Sequence, residues 1–166
     1  MAGHLIVVWF ELISSIDSSS RMSEHSIPEG FEPIFMVEAF TSLIGPIYSK
    51  PDPDHPNFFR LGFRATEAHL NREGVVHGGM LATVADQAIG INMAFGSGQL
   101  NDVLTVSLSM EFISGAKVGE WIETRSLIHK ANGRTRFGGC QLYAGNRLLL
   151  TASAVFVARQ AKTAAR

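Results

Sequence analysis

The stretch Asn71-Arg-Glu-Gly74-Val-Val-His77-Gly78-Gly79-Met80-Leu-Ala-Thr83-Val-Ala-Asp86-Gln87-Ala-Ile-Gly90-Ile-Asn-Met-Ala-Phe95 decides the fold. From Met80 to Phe95 it runs sixteen residues rich in Ala, Leu, Met and Ile with no proline, which predicts a helix buried on most sides. Thr83, Asp86 and Gln87 fall at i, i+3 and i+4, and with Gly90 they form one narrow polar stripe on an apolar cylinder. A helix start carries unpaired N–H groups and about half a positive charge, and two glycines there let an oxygen of a bound molecule approach the backbone. That is the makings of an oxyanion hole. Asp86 lies seven residues beyond Gly79, about 10 Å along the axis at 1.5 Å per residue, too far to reach a group bound at its own helix entrance. Chemistry needing both requires a second copy of the helix running antiparallel, with two sites per pair.

Outward from the helix, Phe59, Leu61, Phe63 and Ala65 alternate with Arg60, Gly62, Arg64 and Thr66, a strand whose arginines are expected to face solvent. Leu104, Val106, Leu108 and Met110 alternate likewise with Thr105, Ser107, Ser109 and Glu111 beyond a Gly96-Ser-Gly98 turn. Three more strands are expected at Trp121 to Lys130, Thr135 to Ala144 and Arg147 to Val157. They are separated by Lys117-Val-Gly-Glu120, Asn132-Gly133 and Gly145-Asn146, all read as turns of the hairpin kind. Upstream, Pro33 to Gly45 reads as a short helix ending at Gly45-Pro46, and Pro51 to Pro56 as a loop. One helix wrapped by an antiparallel sheet is the economical packing, an α+β fold.

A chain of 166 residues suits one domain, placed at residues 27–160, with 1–26 as an appendage and 161–166 as a tail. Ser14 to Ser26 reads as a linker, and Met22 as a candidate alternative start. Leu5 to Phe10 is short, has no Lys or Arg ahead of it, and is not read as a signal peptide. Charged residues make up only 17%, against about 25% in ordinary soluble domains, which favours an oligomer. The net charge of −1 argues against nucleic acid and anionic membrane as partners. A single cysteine, Cys140, excludes a disulfide framework within the chain and multi-thiolate zinc sites, and points to the cytoplasm. No metal site is expected, because the histidines lack ligand spacing.

The pattern Asn71-x5-His77-Gly-Gly-x6-Asp86 resembles the acyl-CoA thioesterases of the hot-dog fold, in the group of the phenylacetate-pathway thioesterase and thioesterase superfamily member 2. The resemblance spans about residues 58 to 158. It implies a long helix wrapped by an antiparallel sheet, a dimer or dimer of dimers, and hydrolysis of an acyl-CoA without metal or organic cofactor. By position it makes Asp86 the nucleophile or general base and Gly78 the donor that polarises the thioester carbonyl. Asn71 and His77 become the pair that shapes the helix entrance, and Thr105 takes the place of a serine that orients water.

A thioester is already activated and its thiolate leaves easily, so a carboxylate with an oxyanion hole suffices. Gly79, Thr83 and Gln87 are candidates for substrate contact, and Lys130, Arg134 and Arg136 for the phosphates of coenzyme A. Rival readings are a hot-dog hydratase or dehydratase, a non-catalytic acyl-CoA sensor, and a structural dimerisation domain.

Overall fold

The computed structural model describes residues 26–34, 39–96 and 102–159; the proposed appendage and tail, and most of the Gly96-Ser-Gly98 turn, lie outside them. Seven strands form one antiparallel sheet: β1 (Glu32–Pro33), β2 (Tyr48–Pro51), β3 (Phe59–Arg64), β4 (Val103–Phe112), β5 (Trp121–Lys130), β6 (Thr135–Ala144) and β7 (Arg147–Ala158). Their order across the sheet is β1-β2-β3-β5-β6-β7-β4. The short helix α1 (Ala39–Leu43) precedes β2, and the long helix α2 (Gly78–Phe95) lies against strands β3 to β7. This is the hot-dog arrangement, α+β as expected.

The core is the sheet face that meets α2. Leu61 and Phe63 of β3, Ile122, Leu142, and Leu149 and Leu150, which are buried in succession beside a register shift between β6 and β7, share the core with Val84, Ala85, Ala88, Ile89 and Met93 of the helix. Each fully buried side chain of this size contributes about 1.5–3 kcal/mol, so the helix is held by packing more than by helix propensity.

Three expectations are corrected. The chain at Glu32–Pro33 is a strand paired with β2, so the predicted helix does not start at Pro33, and its described part is Ala39–Leu43. Lys117 to Glu120 is not a hairpin turn. It carries the chain across the sheet, because β4 pairs with β7 while β5 pairs with β3 and β6. Arg60 and Arg64 do not simply face solvent. Arg60 is mostly buried among Asp52, Asp54 and Glu123, and Arg64 lies 5.3 Å from the Trp121 ring and donates to the Gly119 carbonyl at 2.9 Å.

Candidate active site

The entrance to α2 is built by a turn. The Asn71 side-chain oxygen accepts from the Glu73 and Val75 N–H groups at 2.9 and 3.3 Å, while Gly74 takes φ +74°, the left-handed region that glycine adopts without strain. The chain doubles back so that Leu70 bridges Val76, and the His77 N–H donates to the His69 carbonyl at 2.7 Å. His77 then caps the helix, its Nδ1 accepting from the Gly79 N–H at 2.8 Å. The N–H of Gly78 has no acceptor within the helix, and the cap is spent on Gly79. A methyl at Gly78 would stand 3.1 Å from the Phe112 ring, and one at Gly79 3.0 Å from His77 Nδ1. A side chain at either glycine would therefore need its neighbour to give by a few tenths of an ångström.

Further along α2, Asp86 and Gln87 are half-buried on the polar stripe of the single chain, rather than enclosed as their apolar neighbours suggest. The Thr105 hydroxyl donates to Asp86 Oδ1 at 2.9 Å, which brings these two sequence-predicted residues together and leaves Oδ2 uncommitted to that bond. Thr105 sits beside a register shift in the β4–β7 ladder, a bulge that can re-aim a side chain. Gly78 and Asp86 are eight residues apart, about 12 Å along one helix, so a single chain does not bring them to one reacting centre.

Other predicted residues are placed elsewhere. Thr83 Oγ1 donates back to the Gly79 carbonyl at 2.9 Å, and Gln87 donates to Thr41 Oγ1 of α1 at 2.7 Å. Lys130 and Arg134 are exposed around the β5–β6 turn. Arg136 is only 4% exposed and donates to the Met93 and Gly133 carbonyls at 2.9 and 3.2 Å. It finishes the far end of α2 and is buried, unlike the neighbouring Lys130 and Arg134. Cys140 is buried in β6, its thiol pushed up to about 12 by desolvation. Among the described residues no group of three or more His, Cys, Asp or Glu is placed to hold a metal ion, and no helix is long and apolar enough to cross a membrane.

Sequence reasoning anticipated α1 within the helix read over Pro33 to Gly45, from the spacing of Ile34, Val37, Phe40, Thr41 and Ile44. It missed the cavity beside α1, lined by Phe40, Leu43, Ile44, Leu70 and Met80 together with His77 and Gly79.

The model of the thioesterase superfamily matches residues 73–151, the span from the α2 entrance into β7. A Pseudomonas aeruginosa protein named "Putative esterase PA0474" is 36% identical over 131 residues, which cover 79% of this chain and 96% of that protein. The chain belongs to the thioesterase superfamily. Membership makes thioester hydrolysis the general chemistry of the chain. Among solved structures, this thioesterase-superfamily chain is similar to the E. coli PaaI protein from the phenylacetic acid degradation operon, with a TM-score of 0.64 and 14% identity over 75% of this chain and 86% of that one. It is also similar to a hypothetical thioesterase from Streptococcus pneumoniae determined with coenzyme A, with a TM-score of 0.56 and 17% identity over 63% and 83%. At such identities these two likenesses speak for the fold alone.

Proposed function

We propose that the protein hydrolyses acyl-CoA thioesters to the free acid and coenzyme A at a site shared between two copies of the chain. The observation that carries this is the Asp86 carboxylate, held through one oxygen by Thr105 and presented on the accessible stripe of α2. The thioester carbonyl oxygen accepts from the Gly78 N–H of one copy, where the helix dipole adds to the stabilisation of the developing oxyanion. Asp86 of the other copy either takes a proton from a water that adds to the carbonyl carbon, or itself adds to give an acyl–aspartyl anhydride that water then hydrolyses; in both routes the coenzyme A thiolate leaves and the free acid forms. Asn71 and His77 act by shaping the entrance that holds Gly78.

Pairing of two copies is supported by β4. Among the described residues it forms one edge of the sheet, bonded to β7 alone, with Leu104 53% and Val106 61% exposed. An open apolar edge is a ready template for another strand, and a second β4 laid against it would bring the two α2 helices side by side. Antiparallel pairing sets each entrance against its partner's middle. Lys130 and Arg134 lie at the far end of α2, beyond the partner's entrance in that pairing, and are available to coenzyme A phosphates there. The coenzyme A bound to the S. pneumoniae thioesterase supports this choice of thiol.

The test is free-thiol release from short-chain, long-chain and aryl acyl-CoA substrates by wild type and Asp86→Asn. Turnover that falls at least about a hundredfold in the variant is expected; binding without turnover of any member would make the protein a sensor instead.

A further inference from the structure

A cavity of about 680 Å3 lies beside the α2 entrance and is unused by the chemistry above. Its volume is that of a small-molecule site. It is contiguous with His77 and Gly79, so a molecule whose reacting carbon sits at the helix entrance can extend into it. Among the described residues no Lys, Arg, Asp or Glu lines it, and most of its polar atoms already have partners. The Ser42 hydroxyl donates to the Ala39 carbonyl at 2.7 Å and the Thr83 hydroxyl to Gly79 at 2.9 Å. His69 is committed at both ring nitrogens, Nε2 to the Ile44 carbonyl at 2.8 Å and Nδ1 to the Thr66 N–H at 3.1 Å. Among the described residues of the wall, a charged guest would meet no Lys, Arg, Asp or Glu to pair with. Phe40 and Leu43, by contrast, are 58% and 80% exposed on α1, apolar surface that a guest would cover.

Within the described residues the helix α1 spans Ala39–Leu43. Its side-chain tie to α2 is the bond from Gln87 to the buried Thr41. Gln87 follows Asp86 in sequence, so the stripe that presents the carboxylate also anchors this wall of the cavity.

We propose that the cavity is the acyl subsite, that it takes an uncharged apolar acyl group, and that Gln87 is a positioning residue holding α1 as its wall through Thr41. This rests on the hydrolase reading above.

The test measures kcat/KM for acetyl-, octanoyl-, benzoyl- and succinyl-CoA in wild type, Leu43→Arg, Thr41→Val and Thr41→Ser. Wild type is expected to favour octanoyl or benzoyl over succinyl by at least about tenfold, and the better of those two identifies the acyl group as a chain or a ring. Leu43→Arg, at a side chain exposed enough to change without unfolding, should raise the succinyl-to-octanoyl ratio at least about tenfold, 1.4 kcal/mol. Thr41→Val should lower the octanoyl-to-acetyl ratio about tenfold, mainly through KM, and Thr41→Ser should restore it. An acyl preference unchanged in Leu43→Arg would overturn the subsite. A preference unchanged in Thr41→Val, with the Leu43→Arg shift present, would overturn the latch. Absence of turnover on every ester in wild type would overturn the hydrolase reading and this inference with it.

Discussion

The two ends of α2 are built to opposite rules. At the C-terminal end Asn92 is fully buried, its amide donating to the Phe59 carbonyl at 2.9 Å and its oxygen accepting the Phe59 N–H at 2.7 Å, so that it stands in for a neighbouring strand at the start of β3. Arg136 closes the same end on the Met93 carbonyl. At the N-terminal end and along the stripe, polar groups keep unspent capacity: the Gly78 N–H beside its capped neighbour, and the second oxygen of Asp86. Closed polar groups hold a fold, whereas groups held in place with capacity to spare are what a reaction uses. The sharpest test of this contrast is Asp86→Asn. It should slow thiol release at least about a hundredfold, about 2.7 kcal/mol of barrier, with the thermal midpoint unchanged. A lowered midpoint with turnover intact would show that the open half of the helix is also merely structural.

The matching change at the closed end is Asn92→Leu. It leaves both polar groups of Phe59 buried and unpaired, and should cost about 2 kcal/mol of stability in urea denaturation, while the folded fraction keeps the wild-type kcat. A fall in kcat without loss of stability would erase the distinction between the two ends.

How much of this contrast was legible in the sequence follows from what each pattern encodes. Alternation located β3 and β4 to within a residue or two, because period two reports directly which face is buried, and turn signals bounded β5, β6 and β7 as closely. It carries no information on neighbours, so the pairing of β4 with β7 and the crossing made by Lys117 to Glu120 were invisible. The His-Gly-Gly start and the stripe with Asp86 were readable because a helix projects its spacing faithfully. Arg136 was misread because charge suggests surface, and nothing local says that the end of α2 lies over it. The tie between Gln87 and Thr41 spans 46 residues, a distance that only the folded chain closes.

Thr105 refines the comparison within the open half, since its hydroxyl orients Asp86 without belonging to the helix. Thr105→Val should lower kcat about tenfold, about 1.4 kcal/mol of barrier, and Thr105→Ser should stay within about threefold of wild type. Equal losses in both variants would mean that the γ-methyl packing, and not the hydroxyl, matters.

The smallest effect belongs to the loop that braces the α2 entrance from outside. Val76 donates to the Ala116 carbonyl, and that loop is tied to β7 by Arg147, whose guanidinium donates to Gly115 and to both oxygens of Glu120, at 2.5 and 2.8 Å. The Arg147 hydrogen bond outweighs partial burial and holds the Glu120 carboxyl below its ordinary 4.5. A carboxyl lowered in the folded state contributes stability that is present above its unfolded value and is lost as the pH falls through the folded one. Both partners are substantially exposed, so screening keeps this contribution to about 0.5 kcal/mol. Arg147→Met should therefore lower stability by about that amount at pH 7, and the gap from wild type should close as urea midpoints are followed down through pH 4. A gap that persists at low pH would assign the effect to the Gly115 contact, which does not titrate, and would place the brace with the closed end of the molecule rather than the open one.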